Sequence, residues 1–234
     1  MIRSPLVVTC ELACQLAGQS PPMLDAILLC RWLTLRTSWA RFTRRDSVPN
    51  VLPHFAADRF PIGHTVVGKH VIPHASSPIL SSVDDDRHHH FHKRFPVAEA
   101  ARYCDPNERA VIATTMGITK SYRLPERIRM IERISWIVEG NLRELKNLLQ
   151  DVYYIGRDRS HGWGAVKDWK VRQDDRLAGA WWTAAHDGGA VLMRPMPLKW
   201  PARPANLIGW RNDFAACSPP YWHPRMHEEI VTPC

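Results

Sequence analysis

The pattern of apolar and polar positions predicts that the chain opens with a strand followed directly by a helix. Over residues 5–17, apolar side chains occupy every second position and the residues between them form the opposite face. A period of two is typical of a strand. A Gly-Gln-Ser-Pro-Pro turn follows, after which Leu24, Ile27 and Leu28 recur at helical spacing. We therefore expect a helix over residues 23–35, and an α+β fold. The apolar face of the strand consists of Leu6, Val8, Cys10 and Leu12.

A second combination of strand and helix is predicted near the middle of the chain. Residues 133–139 alternate as a strand, with Ile134, Trp136 and Val138 on one face. Asn141 is the expected helix N-cap, with Glu144 as its capping-box partner. A strand over residues 166–171 follows. The helix stripe consists of Leu142, Leu145, Leu148, Leu149 and Val152, and the last strand is expected to place Val166, Asp168 and Lys170 opposite Lys167, Trp169 and Val171.

A basic, glycine-rich loop connects that helix to the last strand. It lacks the Gly-Lys-[Ser/Thr] ending of a P-loop and does not follow a strand directly, which excludes a nucleotide-hydrolysing loop. Glycine lets a backbone turn sharply and approach a phosphate chain, while arginine supplies charge and tryptophan can stack on a base. The predicted RNA contacts here are Gly156, Arg157, Arg159, Ser160, His161, Gly162, Trp163 and Gly164. Strand, helix, loop and strand together resemble the second half of a ferredoxin-like βαββαβ unit.

Residues 47–96 are irregular, with six prolines between short apolar pieces, and predict short strands, long loops and a projecting hairpin. Residues 84–95 contain three aspartates and four histidines. Adjacent histidines on an extended segment point to opposite faces, so we expect at most two of the four to share one metal ion. The sequence leaves three interpretations open: a metal site, an exposed polar loop, and an RNA-facing loop in which Lys93 and Arg94 are the contacts.

Two further basic segments are candidate phosphate contacts. Residues 31–45 contain five arginines and no acid, and unbalanced charge of this kind favours a nearby anion, although a solvated face is the alternative. Residues 117–125 interleave basic and aromatic side chains, with ordinary strand decoration as the alternative. The residues singled out are Arg41, Arg44 and Arg45 in the first segment, and Lys120, Tyr122 and Arg123 in the second.

Composition supports an anionic partner. The 234 residues contain 31 Lys and Arg against 23 Asp and Glu, a formal net charge of +8, and 24 of the 31 basic residues are Arg. Arg binds phosphate bidentately, and with ten Trp it suits single-stranded nucleic acid, although a GC-rich genome would also enrich Arg. Six cysteines without a CxxC pair indicate a reducing compartment, and no apolar run approaches the roughly 20 residues of a membrane helix. We expect a soluble, cytoplasmic protein without a membrane partner.

The C-terminal part of the chain is rich in proline and tryptophan. Strands are expected around the Asp187-Gly188-Gly189 turn, followed by an extended tail over residues 195–234 that lies on the protein's own surface or on a partner. Four residues of the tail raise the question of a zinc site, namely Cys217, His223, His227 and Cys234. The surrounding prolines and the cysteine spacing match no common zinc finger.

The order of these motifs resembles the RAMP superfamily of CRISPR-associated proteins. Within it, the chain is most similar to the handle-capping subunit, of the Cas family five type, of type IV CRISPR effector complexes. The resemblance covers roughly residues 5–171. The segments that carry it are Lys93-Arg-Phe, Thr119-Lys-Ser-Tyr-Arg-Leu-Pro, Ile134-Ser-Trp-Ile-Val-Glu-Gly-Asn and Ile155-Gly-Arg-Asp-Arg-Ser-His-Gly-Trp-Gly.

The resemblance implies a non-catalytic subunit, without a cofactor, that grips the 5′ handle of the CRISPR RNA (crRNA) and caps one end of the ribonucleoprotein in defence against foreign DNA. Implied partners are the backbone subunit of the Cas family seven type and the large subunit, with target DNA contacted indirectly and a helicase of the same system as a further candidate. The implied fold is a ferredoxin-like palm over residues 1–57 and 121–194, with a thumb-like hairpin insertion over 58–120 and the Pro-rich tail over 195–234.

Two alternatives remain open at the level of the sequence. Some relatives in other CRISPR types cleave precursor crRNA without a metal, which requires an acid and a base near the scissile 2′-OH. His161 is the only histidine inside a loop expected to meet RNA, and no second partner lies at an interpretable spacing. The other alternative is a zinc-stabilised basic interaction domain that binds no RNA.

Overall fold

The computed structural model describes residues 2–18, 20–36, 60–81, 83–94, 96, 115, 120–157, 159–200, 202–219, 221 and 224–234. Over these ranges the chain is an α+β protein, mostly strand, with two α-helices and several small sheets. Neither described helix is long and apolar enough to cross a bilayer. The helices are α1 (Leu24–Arg36) and α2 (Leu142–Leu149).

Fifteen strands are described, in five sheets. In chain order they are β1 (Ser4–Leu12), β2 (Leu16–Ala17), β3 (His64–Val67), β4 (His70–Pro73), β5 (Ile79–Leu80), β6 (Val83–Lys93), β7 (Tyr122–Ile131), β8 (Arg133–Gly140), β9 (Val166–Gln173), β10 (Thr183–His186), β11 (Gly189–Leu192), β12 (Met196–Pro197), β13 (Leu207–Ile208), β14 (Trp210–Ala216) and β15 (His227–Pro233).

A four-stranded antiparallel sheet in the order β5-β8-β1-β9 forms the centre of the fold. The alternation predicted for the first strand is confirmed, because the side chains of Leu6, Val8 and Cys10 are fully buried. These residues lie opposite the apolar face of β8, and Val8 pairs with Trp136. The buried sides of α1 and α2 join the same hydrophobic cluster. Burying alternate residues on one face fixes the register, since a slip of one position would expose them all.

The predicted N-cap of α2 is present, and it uses one half of the capping box. Oδ1 of Asn141 accepts a hydrogen bond of 3.0 Å from the Glu144 backbone N–H. The backbone N–H of Asn141 donates to the Pro61 carbonyl at 2.7 Å, which takes the role expected of the Glu144 side chain. The cap therefore also fastens the segment before β3 to the start of α2.

The face predicted for Val166 is wrong, because β9 contains a bulge. Glu11 pairs with Asp168 and Leu12 pairs with Val166, so Lys167 has no direct partner on β1. The extra residue reverses the alternation at this end of the strand. As a result Val166 packs against the main core together with Trp169 and Val171.

The histidine-rich segment is a strand rather than an exposed loop. β6 pairs with β7 in a long antiparallel hairpin that runs from Asp85 opposite Met130 to Lys93 opposite Tyr122. The predicted projecting hairpin therefore exists, but its second strand lies beyond residues 47–96. Its backbone groups are satisfied across the ladder, so a polar sequence can remain extended with both faces partly exposed.

Residues 195–234, expected to form an extended tail, contain the four strands β12 to β15, and β10 and β11 precede them. The strands expected around the Asp187–Gly189 turn are confirmed as β10 and β11. Pro197 lies in a two-residue edge strand, where a missing N–H removes little pairing. The segment folds because it forms a second hydrophobic core cluster together with Ile72 of β4. That cluster consists of Ile72, Trp181, Leu192, Met196, Cys217, Ile230 and Val231.

We call strands β10 to β15, together with the second hydrophobic cluster, the C-terminal unit. A fully buried arginine fastens this unit to the main sheet and to α1. Arg194 donates to the backbone carbonyls of Pro73, Ala75 and Cys217. Its guanidinium lies 3.8 Å from the carboxylate of Asp25 on α1. Burial raises the pKa of that carboxyl group. Arg194 and a hydrogen bond from the Tyr221 hydroxyl lower this pKa and offset part of the rise.

Candidate nucleic-acid interface

The glycine-rich loop, residues 156–164, is closed at its base and fastened to the segment that joins β1 to β2. Tyr154 and Ala165 form an isolated bridge at its entrance. The Ile155 N–H donates to Gly164 O at 2.9 Å, and the Gly164 N–H donates to Gln15 O at 2.8 Å. The loop is therefore held by backbone hydrogen bonds at its base, and its outer residues project from that base.

Two of the three loop glycines are required by packing inside the protein. A Cβ on Gly164 would lie 1.9 Å from the Ile155 carbonyl oxygen, and one on Gly156 would lie 2.7 Å from Leu16 Cδ1. Both also have positive φ, at 69° and 83°. Gly162 has a φ of 86° with open space around its Cα. Of the three, Gly162 alone leaves room for the phosphate approach that the sequence suggested.

The outermost part of the loop is a short 3-10 turn, Arg159–His161, whose three side chains are exposed. The Gly162 N–H closes the turn by donating to Arg159 O at 3.0 Å. The Cys14 thiol donates to the Gly162 carbonyl, with sulfur and oxygen 3.1 Å apart. The turn thus presents a guanidinium, a hydroxyl and an imidazole on a fixed backbone.

The loop contacts one face of the β6–β7 hairpin. The rings of Trp163 and His89 meet edge to face, with centroids 6.0 Å apart. The Arg157 guanidinium lies 3.8 Å from the Glu126 carboxylate, and 71% of the Arg157 side chain remains exposed. The Arg157 stem lies beside Gly18, which directly follows β2. The structure therefore brings two of the sequence-predicted sites, the loop and the histidine-rich segment, into contact.

The basic and aromatic residues predicted within residues 117–125 lie at the end of this hairpin that is farther from the glycine-rich loop. Lys93 Nζ lies 5.8 Å from the centre of the Tyr122 ring, a cation–π arrangement between residues that are paired in register. Arg94 and Arg123 are exposed beside them, and Lys120 is exposed two residues before β7. The strand register places Lys93 and Tyr122 on the same face as His89, toward the loop.

The opposite face of the hairpin is also basic. Three histidines share it, because residues 88, 90 and 92 alternate with residues that face the loop. Burial and then the charge of Arg123 lower the pKa of His90. Asp86 pairs with Arg127 across the strands. This face is separated from the glycine-rich loop by the thickness of the sheet.

The predicted 31–45 patch is only partly described. Arg31 forms an ion pair of 2.5 Å with Asp151, which follows α2, so this arginine connects the two helices. Arg36 is the last residue of α1. The candidate contacts Arg41, Arg44 and Arg45 lie outside the described residues.

The four residues considered for zinc do not come together where the structure describes them. Cys217 is buried, Cys234 is exposed, and Nε2 of His227 lies 3.0 Å from the Tyr221 carbonyl oxygen. His223 lies outside the described residues. Cys217 instead lies in a cluster with His70 and Glu228, whose possible ligand atoms are all within 4.8 Å of one another.

Sequence reasoning missed a chain of polar side chains between the two hydrophobic clusters. His74 Nε2 lies 2.7 Å from Thr65 Oγ1, and its Nδ1 lies 3.0 Å from the Glu139 carboxylate. The second carboxylate oxygen of Glu139 accepts from the Gly179 N–H at 2.9 Å, and the His74 ring stacks on Trp181. Burial lowers the pKa of His74, which Glu139 partly offsets. These residues are far apart in the chain and share no motif, so no local signal points to them.

Comparison with known proteins gives an independent assignment. The family model described as CRISPR type IV associated protein Csf3 matches residues 74–233, which include the hairpin, the glycine-rich loop and the C-terminal unit. No curated protein matches the chain. The family match covers more than half of the sequence and agrees with the resemblance drawn from the motifs. The chain belongs to the CRISPR type IV associated Csf3 family.

Proposed function

We propose that this chain is the crRNA-binding subunit that grips the 5′ handle and caps one end of a type IV CRISPR effector complex. Membership of the Csf3 family makes it a subunit of such a complex. The observation that carries the finer proposal is the contact between the glycine-rich loop and the hairpin through Trp163 and His89, and through Arg157 and Glu126. It joins two basic, aromatic segments into one surface.

This surface suits a single RNA strand. Arg157 and Arg159 provide phosphate contacts, and Gly162 leaves open space beside the exposed turn. Trp163 and Tyr122 provide aromatic rings on which unpaired bases can stack, and Lys93 adds charge at the far end. Stacking combined with a basic track is how single strands are held without a base-paired partner.

We infer that the four-stranded sheet is a ferredoxin-like palm. In chain order, the first to fourth strands of this sheet are β1, β5, β8 and β9. Read across the sheet from β9, they lie in the order fourth, first, third, second, and every neighbouring pair is antiparallel. α1 follows the first of these strands and α2 follows the third. That order of elements is the one a βαββαβ unit requires.

The thumb-like insertion then corresponds to the β6–β7 hairpin, residues 83–131. Residues 60–80 pack with the palm, because Phe60, Ile62 and Ala75 belong to the main core and β5 is a strand of the main sheet. The insertion therefore begins and ends later than residues 58 and 120. The hairpin remains fastened to the palm at its base, where β2 pairs with β7.

The proposed partners are the backbone subunit and the large subunit of the same complex, with target DNA contacted indirectly. A cap must bind the handle and its neighbouring subunits at once. The histidine face of the hairpin and the edge strands β10 and β14 carry exposed residues for such contacts. Mass spectrometry and RNA sequencing of the material that copurifies with the tagged full chain would identify these partners.

Salt dependence of RNA binding tests the proposed surface. Each phosphate contact should contribute about −0.7 to the slope of log K against log salt concentration, so Arg157→Ala with Arg159→Ala should flatten the slope by up to about 1.4. Lys199→Ala with Arg211→Ala is the matched control, because it removes two positive charges from the C-terminal unit. The probe is the single-stranded 5′ handle of the cognate repeat. An unchanged slope in the loop variant would overturn the assignment of this surface.

We further propose that the subunit is not an enzyme. His161 is exposed on the loop turn, and His74 is committed to contacts with Thr65 and Glu139 inside the protein. Incubation of the full chain with repeat RNA in EDTA, followed by a denaturing gel, tests this. Products that form in EDTA and disappear in His161→Ala would replace the capping proposal with processing of precursor crRNA.

A further inference from the structure

Three separate segments bring metal-binding side chains together at the edge of the C-terminal unit. His70 is the first residue of β4, Cys217 directly follows β14, and Glu228 lies in β15. One ligand atom from each lies within 4.8 Å of the other two. Cys217 is fully buried, the His70 side chain is 4% exposed, and the Glu228 side chain is 29% exposed. The cluster is therefore closed toward the protein interior and open on the carboxylate side.

His70 and Glu228 form a close polar contact. Nε2 of His70 lies 2.7 Å from Glu228 Oε1, at ion-pair distance, but the ring nitrogen is poorly aligned for a hydrogen bond to that oxygen. A buried polar atom without a well-aligned partner costs free energy. An ion between the two groups would satisfy the nitrogen and the carboxylate together.

The surroundings support the same orientation. Nδ1, the other ring nitrogen of His70, lies 3.4 Å from the Ser218 hydroxyl oxygen, in the position from which an outer partner sets the tautomer of a metal-binding histidine. Lys69 Nζ lies 3.1 Å from Oε2 of Glu228 and leaves Oε1 directed at the cluster. His70 and Glu228 therefore each have one atom held by a neighbour and a second atom at the cluster, where the Cys217 sulfur is the third ligand atom.

We propose that His70, Cys217 and Glu228 bind one Zn²⁺ ion, with water as its fourth ligand. Thiolate, imidazole and carboxylate together are the donor set of zinc, and hard ions such as Mg²⁺ and Ca²⁺ do not select sulfur. Around a tetrahedral ion with bonds of about 2.0–2.3 Å, ligand atoms lie roughly 3.3–3.8 Å apart. Zinc binding therefore requires His70 and Glu228, now 2.7 Å apart, to separate slightly, and ligand atoms up to 4.8 Å apart to approach by about 1 Å. The ion fastens the β3–β4 hairpin to the β12-β15-β14 sheet beside the small second core.

The test is the metal content of the full chain, purified without chelators and measured by inductively coupled plasma mass spectrometry. We expect one zinc per chain, lost in Cys217→Ala and in His70→Ala. Cys10→Ser and Cys234→Ser are the matched controls, since each removes one thiol outside the cluster and should leave the zinc in place. Thermal unfolding should shift to lower temperature after removal of the metal and return when zinc is added back.

Glu228→Gln keeps the proposal testable if the other variants fail to fold, because it keeps the size of the side chain and removes one anionic ligand. This variant should bind zinc at least tenfold more weakly than the natural chain in a competitive chelator titration. Co²⁺ added to metal-free protein should give the thiolate charge-transfer band of a cysteine-bound ion, absent in Cys217→Ala. Zinc-free natural protein that also gives no cobalt band would overturn the proposal, as would equal zinc affinity of Glu228→Gln.

Discussion

The guanidinium of Arg157 lies 3.8 Å from the carboxylate of Glu126, and this ion pair links the glycine-rich loop to the β6–β7 hairpin. Glu126 is an acid within an otherwise basic surface, and it lies opposite His89 in the strand register. Most of the Arg157 side chain remains exposed, so the arginine can hold its internal partner and still reach a phosphate. The pair therefore orients the arginine, and Glu126 also lowers the net positive charge of the surface around it.

Glu126→Gln should strengthen binding of the handle RNA. The change removes a negative charge next to the proposed phosphate contact and leaves a side chain of the same size, so we expect several-fold higher affinity and a steeper salt dependence, by up to about 0.7 in slope. Fluorescence anisotropy with labelled handle RNA at several salt concentrations measures both quantities.

Glu132→Gln is the matched control for this prediction. It makes the same change in net charge at an exposed residue between β7 and β8, beside Arg133. An equal gain of affinity in both variants would mean that overall charge is responsible, and that Arg157 has no particular role in binding RNA.

Local patterns predicted the main elements of the central sheet and its two helices because each is specified by its own residues. The alternation of β1 and β8 and the spacing of α1 and α2 follow from which side chains must be buried, and the Asn141 cap follows from its chemistry. The pairing of β6 with β7 could not be predicted in this way. β6 is almost entirely polar, so its side-chain pattern does not identify its distant partner.

The candidate site was predicted as separate segments, and its assembly was not. The loop residues and the histidine-rich segment were each identified from composition, but their contact depends on the path of β7 from the hairpin to β2. The glycines were interpreted as making room for phosphate, whereas Gly156 and Gly164 make room for Leu16 and Ile155. Contacts between distant segments determine why these glycines are required, and such contacts produce no pattern of fixed spacing in the sequence.

Gly164→Ala should destabilise the protein far more than Gly162→Ala. At Gly164 a methyl group would overlap the Ile155 carbonyl oxygen in addition to the strain of a positive φ, so we expect a loss of about 3 kcal/mol in the free energy of unfolding. At Gly162 the space is open and only the strain of about 1 kcal/mol applies. Urea unfolding measures both.

A third glycine separates general strain from the role of the loop. Gly188, at the β10–β11 turn, has a φ of 89° and open space, so Gly188→Ala should cost as much stability as Gly162→Ala. Only Gly162→Ala should also weaken RNA binding. Similar stability losses at positions 162 and 164 would contradict the packing argument.

Stability should fall as the solution is acidified, in part because of His74. Burial, Arg194 and His64 lower the pKa of this histidine and Glu139 raises it, with a net lowering below the ordinary value of 6.5. The unfolded chain therefore binds a proton more readily than the folded chain, so this contribution is complete above pH 6.5 and is lost as the pH falls below that value. In His74→Gln the dependence of the free energy of unfolding on pH between 7 and 5, measured by urea titration, should be shallower. His186→Gln, on the exposed β10–β11 turn, is the control, and equal slopes in both variants would refute this role of His74.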